Sequence, residues 1–187
     1  YLKISNKEYN FISLSYGQVF QSLLTKNKYD LAIIWTLPES ISHTFNKAIQ
    51  FHEVNPKKVF DEVDRFSDAV KDFSRNSESI LLTSWASTGD FTGYEMQDWK
   101  EDLGIQNILS RMNLRLSNNL KDTENIYILD SQKWIVQNNY KTAAKLWYSA
   151  KIPFSNEVFL KASESFLSSI NGLSGKSKKL IILDLDN

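Results

Sequence analysis

The residues best equipped for chemistry stand together where Lys178-Lys179-Leu180-Ile181-Ile182-Leu183 runs into Asp184-Leu185-Asp186-Asn187. An apolar run ending in Asp-x-Asp reads as a buried parallel strand. It delivers two carboxylates at its C-terminal end, where open α/β sheets place their sites. Such a pair suits phosphoryl transfer. Asp184 can attack phosphorus, Asp186 can serve as acid and base, and a divalent cation held by both offsets their repulsion. The plain alternative is a strand that runs into an acidic turn.

Positioning two carboxylates in this way takes a sheet, and the preceding chain has the pattern of one. Phe11 to Leu14 is a short strand candidate, and Tyr16-Gly17 separates it from a helical stretch with Val19, Phe20, Leu23 and Leu24 on one face. Leu31 to Trp35 is continuously apolar, as a central strand covered on both sides would be. Pro38 opens a helix carrying Ile41, Phe45, Ala48 and Ile49. Asn55-Pro56 repeats the device, Asn as cap and Pro as first helical residue, ahead of Val59, Phe60, Val63, Phe66, Val70 and Phe73 at helical spacing. Ile80 to Thr83 is the next strand, followed by a Gly-containing loop from Ser87 to Gly93 and a helix from about Ile105 to Leu116. Asn125 to Asp130 is a further strand. A short helix from Gln132 to Gln137 and a longer one from Asn156 to Leu173 come after it, and Gly172 and Gly175 close the latter. Strands alternating with helices predict βαβ units and a doubly wound, mainly parallel α/β sheet with flanking helices. Lys176 to Lys179 reads as a linker, which divides the chain into an α/β domain over 1–175 and a final strand over 176–187.

In a doubly wound sheet the residues just past each strand gather at one crevice. Here these are Trp35 and Thr36, Ser84 and Trp85, Asp130 and Ser131. The functional reading makes them a substrate or carrier-arm site: Trp35 and Trp85 as apolar walls, Thr36, Ser84 and Asp130 as hydrogen-bonding groups. The competing reading makes the tryptophans core and the hydroxyls helix caps. His43 and His52 stand nine apart and match no metal motif, although His43 is a candidate base for Ser84. The lysine clusters read as solvated helix ends and linker.

Composition narrows the function classes. At 187 residues and 42% hydrophobic content the chain can bury one sizeable core. Its formal charge sums to zero, so nothing argues for nucleic acid or an anionic membrane as partner. It has no cysteine, hence no disulfide or thiol nucleophile, and no apolar run reaches membrane-spanning length. The cytoplasm is the expected location. The Tyr1 start and Asn187 end are expected to be cut edges of a longer protein.

Lys178 to Asn187 resembles the first motif of the haloacid-dehalogenase (HAD) superfamily, and Leu-Asp-Leu-Asp-Asn after a Lys pair resembles its FkbH-like branch, subfamily IIIC. Tyr16-Gly17-Gln18, Tyr29-Asp30-Leu31 and Trp147 to Ser155 are similar to the N-terminal, SGNH (GDSL-like) domain of those proteins. The resemblance implies a phosphatase and acyl (glyceryl) transferase that loads a phosphorylated three-carbon unit onto an acyl carrier protein. Asp184 and Asp186 would be its catalytic residues and its Mg2+ ligands. The family's motif continues with Thr-Leu-Trp and a complete catalytic domain, so the chain by itself is expected to be inactive. No Gly-Asp-Ser block and no Asp-x-x-His pair of the SGNH hydrolases is present. A non-catalytic carrier-protein or ligand-binding module, or a degenerate SGNH hydrolase, therefore stands beside the transferase reading. Leu180 to Leu183 is expected to cover itself by strand addition, on this chain or in a homo-oligomer.

Overall fold

Asn55-Pro56 starts a long helix for reasons that are local. The Asn55 side chain accepts the Lys57 N–H at 2.9 Å, and Pro56 has no N–H to leave unsatisfied. From there the helix α4, Pro56–Ser74, turns Val59, Phe60, Val63, Phe66, Val70 and Phe73 inward, every one of them buried. The computed structural model describes residues 12–13, 17–86, 95–136 and 152–175. Within these, α4 is preceded by α1 (Val19–Leu23), β1 (Tyr29–Ile34), α2 (Pro38–Ile41) and α3 (His43–Ile49). It is followed by β2 (Ser77–Thr83), a 3-10 turn (Glu95–Gln97), α5 (Ile105–Leu120), β3 (Ile126–Leu129), α6 (Gln132–Val136) and α7 (Asn156–Leu173).

Among the described residues the sheet has three parallel strands in the order β1-β2-β3, with Ile33 opposite Leu81 and Leu82 opposite Ile128. Side chains alternate along a strand, so β2 sends Ile80 and Leu82 into one core and Leu81 into another. The first core packs α1, α3, α4 and α5 on one face. The second packs α6 and α7 on the opposite face, with Trp134, Phe154, Val158, Ala162, Phe166 and Ile170. Helices on both faces of a parallel sheet make the molecule a mixed α/β protein of three layers. Asparagines tie the layers at their lower ends: Asn125 Nδ2 donates to Ser74 O and Ser77 O, and Asn76 Nδ2 to Thr25 O.

Three expectations change in detail. The single helix expected from Pro38 through Ile49 is two, because Ser42 takes an extended backbone (φ −114°, ψ 108°) and caps α3. Its hydroxyl accepts the Phe45 N–H and donates to Glu62 of α4, which also accepts the Thr44 N–H. The α1 face is smaller than the spacing predicts, since the helix stops at Leu23, leaving Leu24 79% exposed. Helix α5 runs four residues past its expected end because Leu116 and Leu120 continue the buried stripe.

Of the Phe11 to Leu14 candidate, only Ile12 and Ser13 are described, in neither helix nor strand. The Ser87 to Gly93 loop, the linker and the Leu180 to Leu183 strand lie outside the described residues. No helix among the described residues is long and apolar enough to cross a membrane.

Candidate functional site at the ends of β2 and β3

The chain leaving β2 returns through α5 on the first face, whereas the chain leaving β3 enters α6 on the second. Neighbouring strands whose connections part to opposite faces open a crevice at their C-terminal ends. Ser84 and Ser131 stand there, and their bonds extend the ladder past both strands. Ser84 N–H donates to Leu129 O at 2.8 Å, Ser131 N–H to Ser84 Oγ at 3.1 Å, and Ser131 Oγ to Ser84 O at 2.7 Å. Ser131 is thereby buried, while Ser84 keeps partial access. Asp130 is exposed beside them and accepts the Gln132 N–H at 3.1 Å, starting α6.

The tryptophans of the expected site face inward. Trp85 is fully buried in the first core and packs 5.8 Å from the Phe66 ring. Its indole N–H donates to Thr36 Oγ1 at 3.0 Å, so Thr36, itself 8% exposed, is bound to Trp85. The Trp85 backbone is held by an asparagine of α5: Asn113 Oδ1 accepts its N–H at 2.7 Å and Asn113 Nδ2 donates to its carbonyl at 2.8 Å. Trp35 belongs to the second face and keeps part of its surface accessible. It meets Trp134, Phe154, Phe159 and Phe166 with ring centres 5.3 to 5.9 Å away. The five residues follow directly on the strands but part to different surroundings: Trp85 and Thr36 form a closed pair, Trp35 turns to the second face, and of the five only Ser84, Asp130 and Trp35 meet solvent.

Next to Asp130 a hollow of about 390 Å³ opens between α6 and α7, lined by Leu129, Asp130, Lys133, Trp134, Lys161 and Glu164 among others. Lys161 pairs with Glu164 at 2.7 Å, and Trp134 Nε1 donates to Ser165 Oγ at 2.8 Å. Lys133 makes no ion pair among the described residues, which leaves one cation facing this opening. In the first turn of α2, burial pushes the Glu39 carboxyl above its ordinary range, with its own backbone N–H offsetting part of the shift. Sequence reasoning missed Asn113, Lys133 and Glu39. A polar residue in mid-helix has no local mark, and only the Asp130-x-x-Lys133 spacing, which puts both at one helix start, could have pointed to Lys133.

Ser84 has no acid or base partner among the described residues, since its side chain bonds to Ser131. His43 is exposed at the start of α3. No group of three or more His, Asp or Glu among the described residues could hold a metal ion, and Asp184 and Asp186 lie outside those residues. No family model, curated protein or solved structure matches the chain.

Proposed function

We propose that the chain is the N-terminal, SGNH-like part of an FkbH-like protein of the HAD superfamily. Such a protein removes phosphate from a phosphorylated three-carbon unit and loads the acyl group onto an acyl carrier protein. The observation that carries this reading is the hollow beside the C-terminal end of β3, where Asp130 and Lys133 line an opening at the end of the sheet that a parallel α/β protein offers a ligand, with Ser84 bonded to the adjoining Ser131. The Leu183-Asp184-Leu185-Asp186-Asn187 motif supplies the chemistry: Asp184 as nucleophile, Asp186 as acid and base. Hard carboxylate oxygens suit Mg2+, which would offset their charge and polarise a phosphoryl oxygen.

The part around the hollow then binds and orients, because Ser84 has no base partner among the described residues. The thioester arm lies along the accessible side of Trp35, and its phosphate meets Lys133. Calorimetry with a thioester of pantetheine 4′-phosphate tests this on the chain and on Asp130→Asn and Lys133→Ala. The parent should bind and Lys133→Ala should weaken binding roughly tenfold, as expected for a hydrogen bond to a charged group. Ser84→Ala is a poorer probe, since it also strips the buried Ser131 N–H of its acceptor. Absence of binding to the parent, or unchanged affinity in Lys133→Ala, rejects the hollow as the carrier-arm site.

A further inference from the structure

The stretch that brings the chain into α5 is fixed in place yet turns its apolar side chains to water. Asp98, Lys100 and Gly104 donate backbone N–H groups to the carbonyls of Glu95, Gln97 and Lys100, and Asn107 N–H reaches Asp98 O at 3.0 Å. Gly104 lies so close that a β-carbon there would stand 2.1 Å from Asp98 O, so only glycine allows this packing. On that fixed backbone Met96 is 97% exposed, Trp99 69% and Leu103 46%. Single exposed apolar residues are ordinary. Three on one short ordered stretch, with a tryptophan among them, are what contact surfaces present.

The charges of the same stretch are one-sided. Glu95, Asp98, Glu101 and Asp102 stand against Lys100 in a chain whose total is zero. Arg111 takes up Asp102 at 3.0 Å and reaches Glu101 at only 4.0 Å, and Glu95 has no ion pair among the described residues. Helix α5 must run back along the sheet to reach β3, and its Asn113 is level with the end of β2. At 1.5 Å per residue the helix start lies roughly 12 Å beyond that level, so the stretch projects past the C-terminal end of the sheet. We infer that residues 95–104 are a docking surface for a protein partner whose face combines lysine or arginine with apolar side chains. The surface is independent of the crevice reading.

Two synthetic peptides of equal length test it by calorimetry on the full chain, one alternating Lys and Leu and one alternating Glu and Leu. The Lys peptide should bind, more weakly as salt is raised, and the Glu peptide should not. The double variant Met96→Ala, Trp99→Ala should lose roughly tenfold or more in affinity, the scale of a truncated interface anchor. Its melting curve should match the parent's, because both side chains are exposed. Glu95→Gln with Glu101→Gln should flatten the salt dependence, and Leu160→Ala, at an exposed leucine on α7, should change nothing. The inference is overturned by no binding of the Lys peptide, by equal binding of both peptides, by unchanged affinity in the double variant, or by an equal loss in Leu160→Ala.

Discussion

The two faces of the sheet are built on different plans. On the first, Ile80 and Leu82 meet α4 and α5, the crossover helices of consecutive βαβ units, and Val59, Val63, Phe66, Val70, Met112 and Leu116 are fully buried there. On the second, Leu81 meets α6 and α7, and the contacts are mainly between aromatic rings around a Trp35 that still touches solvent. The first face closes on itself, with even its Trp85 indole N–H bonded inside. The second holds the hollow beside Asp130, and a hollow of similar size lies outside the first core, where α4 and α5 present Phe60, Arg111 and Arg115. The fully closed packing of the first face places the greater share of stability there.

The largest expected effect tests that division directly. Trp85→Ala removes a fully buried ring and leaves Thr36 Oγ1 without its donor, at a cost of roughly 3 to 5 kcal/mol. Trp35→Ala removes a ring that is only partly covered, and roughly 1.5 to 3 kcal/mol is expected. Urea unfolding of both variants measures the difference. If Trp35→Ala proves the costlier change, the assignment of stability to the first face is wrong.

Asn113 sharpens the comparison from the polar side. Asn113→Ala takes both partners from the Trp85 backbone, at roughly 1 to 3 kcal/mol for a buried group left unsatisfied. Asn113→Asp keeps the acceptor and loses the donor, so it should fall between parent and alanine at neutral pH. Hydrogen exchange of the Trp85 amide reads the same clamp locally. It should accelerate in Asn113→Ala, and an unchanged rate would mean that α5 does not hold the end of β2.

What could be read in advance follows the same line between local and distant causes. Helix α4 was legible because Asn55, Pro56 and the apolar spacing all act within a few residues. The parallel order of the strands was legible because strands and helices alternate. The break at Ser42 was not, since the carboxylate that fixes it, Glu62, is 20 residues away in sequence. Trp85 posed the same difficulty. A tryptophan just past a strand can face a ligand or the core, and here its direction is set by Thr36 Oγ1, 49 residues earlier. The candidate site was thus legible as a place, the ends of the strands, but which of its side chains open to solvent depended on long-range partners.

The smallest expected effect concerns the polar clasp on the outside of the first face, where α4 and α5 meet. Arg115 donates twice to Asp64, both contacts at 2.6 Å, and Asn119 adds a third bond at 2.8 Å. These partners, Arg115 first, hold the Asp64 carboxyl below its ordinary range. A carboxyl depressed in the folded state contributes stability that is present above its unfolded value, about 3.9, and is lost as pH falls through the folded value. Both side chains are more than a third exposed, at 35% and 45%, so screening limits the pair to roughly 0.2 to 1 kcal/mol despite its two-point geometry. The second face has its own clasp, the Trp134 Nε1 bond to Ser165, which carries no charge and should not respond to acid. Urea unfolding at about pH 7 and about pH 2 should therefore show Asp64→Asn destabilised relative to the parent only at the higher pH, with the gap shrinking as salt is added. Ser165→Ala should lose the same amount at both. A gap for Asp64→Asn that persists unchanged in acid would mean that the residue acts through packing, and the contrast between a charged and a neutral clasp would disappear.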